Sequence, residues 1–335
     1  MKKKNIFITG GAGYCGSRLV PQLLDEGYKV TVYDILYFGD SFFSKSNKNL
    51  KIIKGDIRDT KKLETACKNH DIFISLACIS NDSSFELDEK LSTSVNFEAF
   101  EPMVLAAKRS KVKRFIYAST SSVYGISDKK DVKEDHPLVP LTLYNKYKGL
   151  CEPLLLKHTD DSFEGVIFRP ATVCGYAPRQ RFDLSVNILT NHAVNKKKIT
   201  VFGGEQLRPN LHIQDYCDVI KLFINAPSEK IKNQIFNVGY QNMSIAEIAN
   251  VVKKVVEKEF SEIKEIPIIT AKSDDNRSYH INSDKIKEVL NFVPKRSVEE
   301  AARELCVSFK KGFFNKSFDN EYYFNVKRLK QIRAT

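Results

Sequence analysis

Asn5-Ile6-Phe7-Ile8-Thr9-Gly10-Gly11-Ala12-Gly13-Tyr14-Cys15-Gly16 is the stretch on which the fold turns. Its apolar run reads as a strand buried on both faces, which the glycines then end. Helical spacing takes over across residues 14–26. Gly10, Gly13 and Gly16 recur every third position between strand and helix. That spacing permits a tight turn and lets backbone N–H groups at a helix start approach a pyrophosphate. The second predicted strand, 29–33, runs into Asp34. A carboxylate there suits the hydroxyls of an adenosine ribose and would repel a 2′-phosphate. No Lys or Arg follows until Lys45, so the cofactor expected is NAD rather than NADP.

Working outward, short apolar runs alternate with helical patterns. Strands are expected at 50–54, 71–76, 114–119 and 165–168, and helices at 61–68, 91–108 and 144–157. This alternation implies right-handed βαβ units, hence an α/β protein with a Rossmann doubly wound parallel sheet over residues 1–170. Beyond Pro170 the pattern loosens around Pro178, Gly203-Gly204 and Pro209. Helices are expected at 184–195, 214–225, 244–259, 283–290 and 298–311. Two of them open on Ser-x-x-Glu capping boxes at Ser244 and Ser297. Residues 171–311 therefore read as a smaller C-terminal α/β substrate-binding region, some of whose elements return to the first domain. The tail, 312–335, mixes aromatics with basic residues and either packs back on the domain or mediates association.

Composition narrows the function classes. The 335 residues are 42% hydrophobic and 28% charged, as in ordinary globular chains. No apolar run reaches the roughly 18 residues that span a bilayer, and no signal-peptide pattern precedes the first strand. A cytoplasmic protein without a membrane partner is expected. The net charge of +12 is dispersed in short runs without interleaved aromatics, so no nucleic-acid partner is expected. Seven cysteines without a C-x-x-C pair and six histidines without an H-x-x-x-H pair support neither a disulfide framework nor a metal site.

Ala118-Ser119-Thr120-Ser121-Ser122 closes the fifth predicted strand, and Tyr144-Asn145-Lys146-Tyr147-Lys148 opens a helix some twenty residues on. Tyr144 and Lys148 are four apart and share a helix face. A nearby ammonium favours a phenolate, which makes the tyrosine a candidate general base. Asp56, in Gly55-Asp56-Ile57, reads either as a partner for an adenine amino group or as a turn residue.

Taken in order, these motifs resemble the extended short-chain dehydrogenases/reductases of the NAD-dependent nucleotide-sugar epimerase/dehydratase family, UDP-glucose 4-epimerase-like proteins among them. Leu76-Ala77, Asn96, Phe168-Arg169-Pro170, Val201-Phe202-Gly203-Gly204, Arg208, His212-Ile213-Gln214-Asp215 and Phe236-Asn237-Val238-Gly239 complete the match. The resemblance implies Tyr144 as general base and acid, Lys148 as holder of the nicotinamide ribose, and Thr120 as a hydrogen-bond partner of the sugar oxygen. It places Tyr14, Cys15, Ile57, Leu76, Ala77, Ser119, Pro170 and Val173 against the cofactor. It implies that Asn187 reaches the sugar-linked phosphate and that Arg208 pairs with the pyrophosphate. Arg277 reads as a second phosphate contact or an exposed ion pair, and Arg179 and Arg181 as sugar or carboxylate contacts. Related dehydratases and decarboxylases carry an acid just after the catalytic threonine, where this chain has Ser121-Ser122. The activity expected is epimerisation of a nucleotide sugar, at C4, through a transient 4-keto sugar. A dehydratase, an oxidoreductase or an idle NAD-binding domain are the rivals. The family further implies a role in surface polysaccharide synthesis. It also implies a homodimer, formed through apolar stripes on the helices at 91–108 (Val95, Met103, Ala106, Ala107) and 144–157 (Leu150, Leu154, Leu155).

Overall fold

A computed structural model describes residues 3–127, 129, 131–272 and 278–334. The first half alternates as its periodicity requires: β1 Asn5–Thr9, α1 Tyr14–Asp25, β2 Lys29–Asp34, β3 Leu50–Lys54, α2 Thr60–Cys67 and β4 Ile72–Ser75. Two short helices follow, α3 Asp82–Phe85 and α4 Glu89–Thr93, then α5 Phe100–Arg109, β5 Arg114–Ala118, α6 Leu143–Leu156 and β6 Glu164–Pro170. The second half runs β7 Thr172–Cys174, α7 Ser185–Lys196, β8 Ile199–Phe202, β9 Leu207–His212, α8 Ile213–Asn225, α9 Ser228–Ile231, β10 Gln234–Val238 and β11 Gln241–Ser244. It closes with α10 Ile245–Glu259, β12 Ile268–Ala271, α11 Asp284–Leu290, α12 Val298–Lys310 and α13 Asn325–Ile332.

Seven parallel strands form the central sheet in the order β10-β6-β5-β4-β1-β2-β3. Residues Ile6, Phe7, Ile8, Phe73, Ile74, Phe115 and Ile116 are wholly buried because helices cover both faces. The strand order reverses between β1 and β4, and that switch point opens a crevice at the carboxyl ends of the strands. The seventh strand, β10, comes from far beyond residue 170 and pairs with β6 from Gln234↔Val166 to Val238↔Pro170. Two small sheets, β11-β9-β7 and β12-β8, sit with α7, α10 and α12 around a second core that includes Val186, Ile199, Ile248 and Val252. Both expected capping boxes form, Ser244 with Glu247 and Ser297 with Glu300.

One expectation changes. The single helix at 91–108 is interrupted by a π turn, Ser94–Glu98. Pro102 explains the restart: it lacks the N–H a continuous helix would use and sits in the first turn of α5, where none is required. The widened turn buries Asn96, whose side chain bonds both the N–H and the carbonyl of Ile79 at 2.8 and 2.9 Å. Of the stripes expected at a two-fold interface, Val95 and Leu154 are partly buried. Met103, Ala106, Ala107 and Leu155 are buried against Phe73, Phe115 and Ile167 of the sheet, while Leu150 is 41% exposed.

Candidate active site

The turn between β1 and α1 is forced by close packing. Gly10 has φ +71°, and a Cβ there would lie 2.5 Å from the backbone nitrogen of Ala77. A Cβ on Gly16 would lie 2.3 Å from the carbonyl oxygen of Gly11. With both positions bare, α1 starts directly on a cavity of about 710 Å³ at the switch point. Gly13 is its N-cap, no side chain caps the helix, and no acidic residue occupies its first turn. By contrast α2, α6, α10 and α12 are each capped by a side chain. Uncapped N–H groups at the positive end of a helix suit a phosphate.

Asp34 ends β2 beside this turn. Its carboxylate accepts from the N–H groups of Ala12 and Leu36 at 3.0 and 2.8 Å. Burial raises its pKa, and the two N–H groups and the charge of Arg179 oppose the rise. Asp56 also lines the cavity. Burial works against its charge, yet hydrogen bonds from Arg58 hold it below the ordinary carboxylate range. The uncapped helix, the glycine cradle and this acidic pair at the strand ends fit a dinucleotide. Gly10, Gly13, Tyr14, Cys15, Gly16, Asp34, Asp56, Ile57, Leu76, Ala77, Ser119, Pro170 and Val173 would hold it, and all of them line the cavity.

Thr120, Tyr144 and Lys148 line the same cavity. Thr120 leaves β5 in extended conformation; its hydroxyl accepts from the Ser122 N–H and donates to the Ser122 hydroxyl, both at 3.2 Å. The Ser122 hydroxyl lies 3.1 Å from that of Tyr279, which lies 3.4 Å from Ser121. Tyr279, unforeseen from the sequence, thus joins a chain of hydroxyls ending at Thr120. Lys148 donates to the Ala118 carbonyl at 2.5 Å and sits 4.8 Å over the Tyr117 ring. Burial pushes the Tyr144 hydroxyl well above its ordinary pKa, the charge of Asp82 adds to the rise, and Arg181 is the cation that opposes it.

The substrate-side residues divide. Arg208 lines the cavity from β9. Asn187 does not: its Nδ2 donates to the Tyr14 hydroxyl and the Arg181 carbonyl, and its Oδ1 accepts from Gly175 N–H. Both its polar atoms are engaged within the wall, between Tyr14, Gly175 and Arg181. Arg277 lies outside the described residues. Arg179 and Arg181 are buried in the cavity wall, and Asn325 reaches it from the tail.

A parallel sheet in this strand order, with a Thr, Tyr and Lys facing a dinucleotide cradle, defines an extended short-chain dehydrogenase/reductase. The chain belongs to the NAD dependent epimerase/dehydratase family, whose sequence model matches residues 6–239. It is 29% identical to the UDP-N-acetyl-alpha-D-glucosaminuronate decarboxylase of Bacillus cytotoxicus, over 92% of this chain and 98% of that one. It is 27% identical to the dTDP-D-glucose 4,6-dehydratase of Mus musculus, over 93% and 90% of the two chains. Among solved structures it resembles the UDP-N-acetylglucosamine 4-epimerase of Methanobrevibacter ruminantium, with TM-score 0.82 and 26% identity over 93% of this chain and 100% of that one. The family is NAD-dependent and acts on nucleotide sugars as epimerases and dehydratases. Among the described residues no helix is long and apolar enough to cross a membrane.

Proposed function

We propose that the protein is a nucleotide-sugar epimerase that inverts C4 through a transient 4-keto sugar. NAD, when bound, supplies the two-electron acceptor and donor for that carbon. Tyr144 removes the proton of the C4 hydroxyl and later returns it. Thr120, its hydroxyl oriented by Ser122, hydrogen-bonds the same oxygen. Lys148, fixed to the end of β5 through Ala118, holds the nicotinamide ribose. Arg208 engages the diphosphate of the nucleotide sugar.

The observation that carries this reading is the Ser121-Ser122 pair. Both hydroxyls face Tyr279, so hydroxyls stand where a dehydratase or decarboxylase of this family carries an acid. One feature favours a dehydratase as the second reading: Asp82 lines the cavity, raises the Tyr144 pKa, and accepts from Thr142 at 2.5 Å. The test is incubation of the pure protein with a panel of nucleotide sugars without added NADH, read by mass spectrometry and NMR. An inverted C4 at unchanged mass is expected. A product lighter by one water would make it a dehydratase, and stoichiometric consumption of added NAD or NADH with a sugar changed by two hydrogens would make it an oxidoreductase.

A further inference from the structure

Arg179 and Arg181 are buried, and both line the cavity. Arg181 is paired: its Nε meets the Asp183 carboxylate at 2.7 Å and its Nη1 donates to the Ser80 hydroxyl at 2.8 Å, while its Nη2 has no partner among the described residues. Arg179 makes no ion pair among the described residues. Its guanidinium lies 3.5 Å over the Phe38 ring, its Nη2 donates to the Asn325 side chain at 2.6 Å, and its Nε has no partner. Burial and the neighbouring Arg181 push Arg179 down to about 9. The charges of Asp183 and Asp34 support it without contact; a guanidinium buried with no carboxylate in contact is costly, and the cost is offset when an anion joins it.

The position of the pair says which anion. The backbone N–H of Arg179 donates to Ser17 in the first turn of α1, and the carbonyl of Arg181 is held by Asn187, which also bonds Tyr14. Both arginines therefore adjoin the uncapped start of α1, and Cys15 there is close to both. Two guanidinium forks two residues apart, beside a helix N-terminus, match an anion with several oxygens on adjacent centres.

We propose that Arg179 and Arg181 form a diphosphate clamp on the cofactor, completed by the C-terminal segment that holds Arg179 through Asn325. Asn325 also donates its N–H to Asp183 at 2.9 Å and its Nδ2 to the Ser80 carbonyl at 3.3 Å. Phe182 N–H donates to the Tyr323 carbonyl at 2.9 Å, and Arg328 donates to the Tyr37 carbonyl at 2.6 Å. The segment thus ties the arginine loop to the loops after β2 and β4, and the cofactor leaves only when it lifts. This rests on the cleft being the NAD site and is independent of epimerisation.

Binding of NAD, and separately of uridine and thymidine diphosphates, would be measured by calorimetry on the full chain and on Arg179→Gln, Arg181→Gln and Arg179→Lys. Melting curves would confirm that each variant is folded. NAD affinity is expected to fall about tenfold or more in both Gln variants and to recover in part with Lys. Asn325→Ala is expected to speed NAD release several-fold at nearly unchanged association. A loss confined to the nucleoside diphosphates would overturn the clamp on the cofactor, the arginines then serving the nucleotide sugar. Unchanged binding of both ligands by folded Gln variants would overturn the clamp. Failure of the wild type to bind NAD would overturn the reading of the cleft, and the clamp with it.

Discussion

The two walls of the cleft hold their ligands by different means. The glycine wall, Gly10 to Gly16, works by shape: it lacks side chains where backbone must approach, and it presents N–H groups. The arginine wall, 179–183 with Asn325, works by buried charge held in a web of side-chain hydrogen bonds. The first is local in sequence and tolerates almost no added volume. The second is assembled from distant segments and depends on its partners, so it should tolerate volume changes and respond to charge. The same cavity thus joins one wall specified by sterics to another specified by electrostatics.

The largest expected effect falls on neither wall but on the group between them. Tyr144→Phe should lower turnover by about 10²–10⁴-fold, the usual weight of a general acid–base step, with NAD binding nearly intact. Stopped-flow turnover beside NAD titration checks both halves, and near-wild-type turnover would remove Tyr144 from the mechanism. Next comes the glycine wall. A Cβ at residue 16 would lie 2.3 Å from the Gly11 oxygen, so Gly16→Ala must displace the turn. The variant should lose NAD affinity by about tenfold or more and melt at lower temperature. Unchanged affinity would mean that this wall is not set by shape.

The smallest effect concerns pH on the substrate side. His192 lines the cavity from α7 and packs against Phe318 of the tail. Burial, then Lys196 and Lys198, push its imidazole down to about 4. The unfolded chain, with a value near about 6.5, binds a proton that the folded chain refuses. Stability should therefore fall as pH drops from about 6.5 toward 4, and His192→Asn should flatten that fall. Urea midpoints at neutral and mildly acidic pH, compared between wild type and variant, measure it; equal slopes would exclude the histidine.

The difference between the walls also explains what the sequence could reveal. The glycine turn, Asp34 and the Tyr144–Lys148 pair announce themselves by spacing within one strand–turn–helix or one helix. Asn187 has the residue type of a phosphate contact, but its bonds to Tyr14, Gly175 and Arg181 cannot be read from its position. Arg179 and Arg181 were visible as cations, yet their burial depends on Phe38 and Asn325, which no local pattern connects to them. Tyr279 reaches Ser122 across more than 150 residues of chain. Periodicity located the helices on either side of residue 96 but not the π turn, which is a consequence of Pro102 and a buried asparagine.

The bond from Arg328 to the Tyr37 carbonyl joins residues 291 apart, and that from Asn325 to Ser80 joins residues 245 apart. Such contacts pay the largest loop-closure entropy and form late. On the ribosome, the glycine turn and Asp34 are made before either Asn325 or Arg328 exists. A nucleotide that met the chain at that stage would find half a pocket with an open side, which the later segment carrying Asn325 and Arg328 closes.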